Sequence, residues 1–508
     1  MRPIVALSRD AAAVYPARPP FDPSERYPEF DAAPFNSGAL ASEPNAVYPL
    51  LRECFRNLGY DAQRFGTREW NPLTTIVPRG GRIVLKPNFV MHEHDRTSGT
   101  QCLTTHVAVL RALLDYVILA GGPNCQIVIA DAPLQQADFA AIVRDSGLDV
   151  VAQHVRARSN VDLSILDLRR LRAVTDERRV INATVELPGD PMGYAAVAVG
   201  SESRLEEISE TATRFAVTDY DRAEMGLHHR PGHHEYLLSR TALACDTFIN
   251  VPKLKTHQKV GVTLALKNLV GINGSKDWLP HYRPGAPEEG GDEFPERNAI
   301  SSAHSKIRAR LQGSSPRAMR AVQFLWHAYK RLFESRGLGL SATDRVAGGR
   351  ILGGAWYGND TAWRMVLDLN QAILHASAEG RFDEPTRRRY LAVVDGIVGG
   401  DGDGPLSPDP KHAGLLAASE DPVALDRVLA HVMGFDSERI PMLREAARVT
   451  TRRLSSLAPG VEADVKTSHG DADWKSIHLG FRAAPGWRGR IERPTTVELA
   501  TALEPTTA

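Results

Sequence analysis

Apolar residues recur along this chain with two different periods. Arg82-Ile-Val-Leu-Lys86 is apolar at successive positions and stops at Pro87, which predicts a strand. Thr104 to Leu119 instead repeats Leu110, Leu113, Leu114, Val117 and Ile118 at helical spacing, with Thr104 or Thr105 as the expected cap. Gly121-Gly122-Pro123 ends that helix, and Gln126–Asp131 reads as a second strand. Strand, helix, strand in this order predicts a parallel sheet with a crossover helix.

The same grammar continues on both sides. A helix is expected over 44–59, with Val47, Leu50, Leu51 and Cys54 on one face. Short strands are expected at Ala195–Val199, Arg214–Thr218 and Asp246–Val251, followed by a helix over 258–271. Residues 281–298 read as a polar loop, and helices follow at 316–334 and 361–377. Tyr390–Asp395 predicts a strand that gives way to a Gly/Asp loop, and 422–433 a further helix. The expected fold is α/β: a mostly parallel, Rossmann-like sheet with flanking helices and a second, smaller lobe. The expected divisions are an irregular arm (1–43), a first part of the core (44–300), a helical insertion (301–350), a second part of the core (351–448) and a C-terminal extension (449–508).

Composition narrows the functional classes. The chain has 508 residues, 43% of them apolar, and its 61 basic and 61 acidic residues cancel. A dominant nucleic-acid or membrane-surface role usually shows as basic excess, so neither partner is expected. No stretch is apolar enough for a membrane span or signal peptide. Cys54, Cys102, Cys125 and Cys245 are scattered, with no Cys-x-x-Cys pair. That predicts a reducing, cytoplasmic setting and no cysteine-ligated iron–sulfur cluster. A homo-oligomer stays open.

The candidate chemistry gathers at the predicted strand ends, where open parallel sheets bind ligands. The first strand delivers Lys86 and Asn88, and the second delivers Asp131. The third runs into Lys253-Leu-Lys255-Thr-His257, and the fourth into Asp395, Asp401 and Asp403. In an extended backbone Lys253, Lys255 and His257 share one face. Three cations packed together repel one another unless an anion lies among them; the alternative is a solvated strand end. Lys267 and Asn268 interrupt an apolar helix pattern and need partners if buried. His257, Lys267 and Lys255 are therefore the candidate catalytic residues. Lys86, Asn88, His106, Lys253, Asn268 and Arg364 are the candidate contacts to substrate. Asp131, Asp395, Asp401 and Asp403 are candidate oxygen ligands for a divalent cation, or else exposed aspartates of a glycine-rich turn. The four histidines of 228–234 are either chelators or a solvated loop. The acidic 285–295 loop is either solvated or a lid.

Several stretches resemble the family called domain of unknown function 362. They are VLKPNFV at 84–90, TTHVAVLRALLDY at 104–116, VIADAP at 128–133, the Lys-rich block at 249–272, GNDTAWRMVLDLN at 358–370 and VVDGIVGGDGDGPL with ASEDPVALD at 393–426. The likeness spans roughly residues 80–435. Many such relatives carry paired iron–sulfur clusters, for which this chain lacks the cysteines, so that role does not carry over. The Lys-x-Lys-x-His block bears a looser likeness to the lactate racemase family, where a lysine and histidines serve a nickel-pincer cofactor. The expected function is an enzyme that moves a proton on a small anionic metabolite, as in epimerisation, racemisation or elimination. The alternatives are a metal-dependent hydrolase or transferase built on the aspartates, and a non-catalytic anion-binding accessory protein.

Overall fold

The computed structural model describes the chain except residues 1, 32–39, 176–180, 211–213, 218–221, 298–344, 347–348, 351–352, 384–385, 387, 459, 469–472 and 495–508. The first strand, β1 (Ile4–Arg9), lies inside the stretch read as an irregular arm. It is followed by β2 (Arg82–Pro87), β3 (Gln126–Asp131) and β4 (Asp162–Asp167). Next come a hairpin of β5 (Leu171–Thr175) and β6 (Ile181–Glu186), and a small sheet of β7 (Tyr194–Ala198), β8 (His229–Arg230) and β9 (His233–Ser239). β10 (Thr247–Val251), β11 (Lys253–His257) and β12 (Gly261–Thr263) carry the Lys-rich block. A two-residue ladder joins β13 (Arg345–Val346) to β14 (Gly349–Arg350), and the helix expected at 316–334 lies outside the described residues. β15 (Arg389–Asp401), β16 (Asp409–Ser419) and β17 (Asp464–Thr467) complete the set.

The large sheet runs β17–β1–β16–β15–β10–β2–β3–β4, with β11 and β12 added beside β15. All of these pairings are parallel except those of β16 with β1 and β15, and of β11 with β12. The fold is thus α/β with a mostly parallel sheet. Alternation splits the core in two. Ile83, Leu85, Ile249, Val251 and Leu391 face the helices Val47–Asn57, Val107–Gly121 and Leu148–Arg158. Val84, Phe248, Leu254 and Val394 face the helices Ala362–His375 and Pro422–Met433. Both faces are covered, which explains why the central strands read as unbroken apolar runs.

Three expectations change. Residues 258–271 do not form one helix: β11 turns back into β12, and helix forms only at Ala265–Asn268, with a tighter turn over Leu269–Ile272. The strand beginning at Tyr390 does not stop at Asp395 but continues to Asp401. The glycines there permit close packing against β11. A Cβ on Gly399 would lie 2.9 Å from the Leu254 carbonyl, and one on Gly400 would lie 2.8 Å from Lys255 Cβ and 2.6 Å from the Cys102 carbonyl. Glycine is used here for proximity, not for a ligand loop. Finally, Arg214–Thr218 forms no strand among its described residues, only a bridge from Ala216 to Tyr282.

Gly400→Ala is expected to lower stability by about 1–3 kcal/mol through overpacking. Chemical denaturation checks this, and an unchanged midpoint would contradict the close-packing account.

Candidate functional site

β2 and β3 end side by side, and there Lys86 meets Asp131 at 2.7 Å with both side chains buried. Lys86 Nζ also donates to the Pro87 carbonyl at 2.7 Å and to Asn268 Oδ1 at 3.1 Å. Asp131 accepts further from the backbone N–H of Phe89 at 2.7 Å and of Ala132 at 2.9 Å. Gly271 crosses directly over the pair; a Cβ there would fall 2.0 Å from Asp131 Oδ1 and 2.5 Å from Lys86 Nζ. Asn268 completes the knot by donating to Asn250 Oδ1 at 2.7 Å and accepting from Asn88 Nδ2 at 3.0 Å. These residues share one buried polar network, as their positions at strand ends suggested.

Past Pro252 the chain leaves β2. β10 pairs with β2 up to Val251, whereas β11 pairs only with β15 and β12. A cavity of about 500 Å³ lies between the parted strands. Alternation along β11 directs Leu254 into the core and brings Lys255 and His257 to the cavity wall. Lys253 shares their face but not their fate. Its ammonium is 3.0 Å from Asp395 Oδ2 and 2.8 Å from Tyr15 Oη, and both Lys253 and Asp395 are fully buried. Tyr15 in turn donates to Asp395 Oδ1 at 2.5 Å. Lys255 has no carboxylate; it donates to the Leu103 carbonyl at 2.7 Å, and burial followed by the nearby Lys253 charge pushes its pKa well down.

Among the described residues, Lys86, Lys255, Lys259, Lys267 and Lys276 line the cavity with His257 and His281, against a single carboxylate, Asp131. Lys267 lies on the short helix Ala265–Asn268, whose backbone N–H groups at Ala265 and Leu266 are held by Asp426 at 2.8 and 2.9 Å. Burial, then the charges of Lys276, Lys259 and Lys86, lowers the pKa of Lys267 to about 7. Burial likewise brings Lys276, which donates to the Ala132 carbonyl at 2.8 Å, to about 7. Asn88 Oδ1 and Thr263 Oγ1 are buried polar atoms of the lining without a protein partner. Val90, Leu134, Val217, Val270 and Leu406 add apolar surface to a wall that also holds Gln135, Gln136 and Gln258.

The two histidines are locked in opposite tautomers by their backbone contacts. His257 Nδ1 accepts the N–H of Lys259 at 3.0 Å. His281 Nδ1 lies 2.8 Å from the Leu279 carbonyl and must donate to it. Burial first, and then the surrounding lysines, push both pKa values well below the ordinary imidazole range, so both rings are neutral. His257 therefore carries its proton on Nε2, while His281 keeps a lone pair on Nε2. The lone pair of the candidate catalytic residue His257 is thus spent on the backbone. His281 keeps its acceptor nitrogen at Nε2. Its position in a polar loop carried no sequence signal. Lys276, an ordinary loop lysine in the sequence, and Lys259, inside the expected 258–271 helix, carry no signal either until the fold closes around them.

Other candidates lie elsewhere. Asp395 belongs to Lys253, while Asp401 accepts from the Arg482 backbone at 2.5 Å and from its Nε at 2.6 Å. Asp403 accepts from Gln258 Nε2. The four aspartates thus do not converge, and among the described residues no group of three or more His, Cys, Asp or Glu side chains is arranged to hold a metal. Arg364 is paired with Glu207 at 2.6 Å and Asp360 at 3.2 Å, away from the cavity lining. His106, not Thr104 or Thr105, caps the helix Val107–Gly121, accepting from Ala108 N and stacking on Tyr15 at 3.9 Å. In the 228–234 turn, His228 contacts Glu235 and Glu224, His229 the Trp278 carbonyl, and His234 Glu206. Asp292 of the acidic loop is held by Thr361 Oγ1 at 2.6 Å.

The profile of the family described as Domain of unknown function (DUF362) matches residues 83–189 and 171–431, which include every lysine and histidine of the cavity. The chain belongs to this family. A thylakoid-associated protein of Synechocystis sp. is 41% identical over 59 residues, which is 12% of this chain and 18% of that protein. A crystal structure of a Thermotoga maritima protein aligns at a TM-score of 0.28 and 10% identity, covering 67% of this chain and 50% of the other. Outside the family match, β1 and β17 are part of the same sheet. All four cysteines are buried free thiols, and among the described residues no helix is long and apolar enough to cross a membrane.

The two neighbouring lysines of β11 should respond oppositely to removal. Lys253→Met strands the buried Asp395 carboxylate and should cost about 3–5 kcal/mol. Lys255→Met removes a buried amine that among the described residues has no carboxylate partner, and should leave stability unchanged or raised. Urea denaturation of the two variants checks this; equal losses would contradict the assignment of partners.

Anion binding should also follow pH. Lys267 and Lys276, at about 7, gain charge as pH falls, so sulfate should raise the melting temperature more near pH 6 than near pH 8.5. The ligand-free protein behaves in the opposite sense. Above pH 7 the folded lysines have lost protons that the unfolded chain holds up to about 10.4, so their contribution to stability rises with pH across that window. A sulfate shift independent of pH would count against both assignments.

Proposed function

We propose that the cavity binds a small organic anion and moves a proton on it, as an epimerase, racemase or lyase does. The observation that carries this reading is a buried group of lysines with one engaged carboxylate, joined to two neutral histidines of opposite tautomer. The cations supply the potential that holds a carboxylate or phosphate and stabilises negative charge developing on a neighbouring carbon. His281 Nε2 supplies the proton acceptor and His257 Nε2–H the donor. Asn88 Oδ1 and Thr263 Oγ1 remain for a hydroxyl or amine of the ligand. Val90, Leu134, Val270 and Leu406 favour a partly apolar body. The metal-dependent alternative loses its basis, since Lys86, Lys253, Arg482 and Gln258 already engage the four aspartates proposed as ligands. A purely anion-binding role needs the lysines but gives no reason for the paired histidine tautomers.

A panel of small hydroxy, oxo and amino acids, ranked by thermal shift, tests the proposal, with exchange of their carbon-bound hydrogens for solvent deuterium followed by NMR. His281→Gln should keep the thermal shift and slow exchange about 100-fold or more. Lys255→Met should weaken the shift itself. Binding without exchange in the parent protein would leave the accessory, non-catalytic role.

A further inference from the structure

We propose that Lys267 is a nucleophile that forms an imine with a carbonyl-bearing organic anion, so that the cavity takes oxo acids. This deepens the anion-binding reading and rests on it.

The lysines around the cavity differ in one respect. Lys86 is bound to Asp131, Lys255 to the Leu103 carbonyl, Lys276 to the Ala132 carbonyl and Lys259 to the Gly353 carbonyl. Lys267, only 7% exposed, lines the same cavity with no hydrogen bond or ion pair among the described residues. Its short helix is fixed from below by Asp426, and the adjacent Asn268 is locked in the Lys86 network, so the amine is held in place from its backbone. Burial and the neighbouring charges bring its pKa to about 7, so near neutral pH a large fraction is free amine. A lysine desolvated beside other cations is a recognised way to obtain a neutral, nucleophilic amine. The surrounding ammonium groups attract the carboxylate of an oxo acid and bring its carbonyl to that amine.

The step balances without an oxidant or reductant. The lone pair of Lys267 Nζ forms a C–N bond to the carbonyl carbon, and the C=O π pair moves onto oxygen. His257 Nε2–H hydrogen bonds the resulting oxyanion. His281 Nε2 takes one proton from the nitrogen and returns it to the oxygen. The nitrogen lone pair then forms C=N as the C–O bond breaks, and the departing hydroxyl takes a proton from solvent and leaves as water. The product is a protonated imine, which draws electrons from the adjacent carbon and acidifies its hydrogen. That is the proton transfer the paired histidines are suited to serve. His257, His281 and Lys267 are close enough for each histidine to feel the lysine charge.

The full-length protein is incubated near pH 7 with glyoxylate, pyruvate or 4-methyl-2-oxopentanoate and sodium cyanoborohydride, which reduces imines to stable secondary amines. Peptide mass spectrometry then locates the adduct. A pKa about three units below an ordinary lysine raises the free-amine fraction roughly a thousandfold, of which lower basicity takes back part, so labelling of Lys267 should exceed that of surface lysines on the order of 100-fold. Lys267→Arg and Lys267→Met should both lose the adduct, and sulfate should compete with it. Labelling spread over surface lysines, or concentrated on another cavity lysine, overturns the proposal. Oxalate separates this from the broader reading, because it is an anion that forms no imine under these conditions. If oxalate stabilises the protein and no oxo acid labels Lys267, the imine falls and the anion site stands; if neither occurs, both fall.

Discussion

Too few carboxylates meet too many cations at the end of the sheet, and much of the structure follows from that imbalance. Five lysines and two histidines line one cavity with Asp131. Asp131 is already saturated by Lys86 and two backbone N–H groups. Burial disfavours each further charge, and each neighbouring charge disfavours it again. The result is a set of amines and imidazoles whose pKa values are pushed down together within one cavity. Such a concentration of perturbed groups in a cleft is what makes the cavity a candidate functional site.

Neighbouring residues on one strand show how pairing decides role. Lys253 and Lys255 share a face of β11. Lys253 is absorbed into a closed triad with Asp395 and Tyr15 and belongs to the architecture. Two residues on, Lys255 finds only a carbonyl and remains electrostatically uncompensated. The long β15 makes both contacts possible, because its glycines let β11 approach closely at Gly399 and Gly400 while Asp395 reaches Lys253.

The geometry of the cavity is set by backbone groups as much as by side chains. Two carbonyl or amide contacts, one at each histidine Nδ1, decide which ring donates and which accepts. Asp426, far along the chain, holds the two N–H groups at the start of the helix that carries Lys267. Gly271 allows the chain to pass over the Lys86–Asp131 pair without displacing it. These are long-range constraints on a few atoms, and they fix where the ring protons and the Lys267 amine of a basic pocket lie.

Much of the scaffold was legible in the sequence. The apolar runs of β2, β3 and β10 and the helical repeat around Leu110–Ile118 are local patterns, and local patterns set the β-α-β order and hence a parallel sheet. The alternation of Lys253, Lys255 and His257 likewise placed three polar groups on one face before any fold was known. What no local pattern carries is partner choice. The aspartates read as candidate metal ligands, or else as exposed turn residues, because they fall at or just past strand ends, yet Lys86, Lys253, Arg482 and Gln258 each reach one of them from a different element. Ile4–Arg9 read as part of an arm because a six-residue strand has little signal beside a Pro-rich stretch; pairing with β16 and β17 makes it a strand. Lys276 and His281 carry no mark in the sequence, since a lysine or histidine in a loop is ordinary until tertiary packing removes water from around it. The sequence by itself determined the sheet and the supply of cations. Only the tertiary structure decided which cations are neutralised, because that depends on distances between residues that lie tens to hundreds of positions apart.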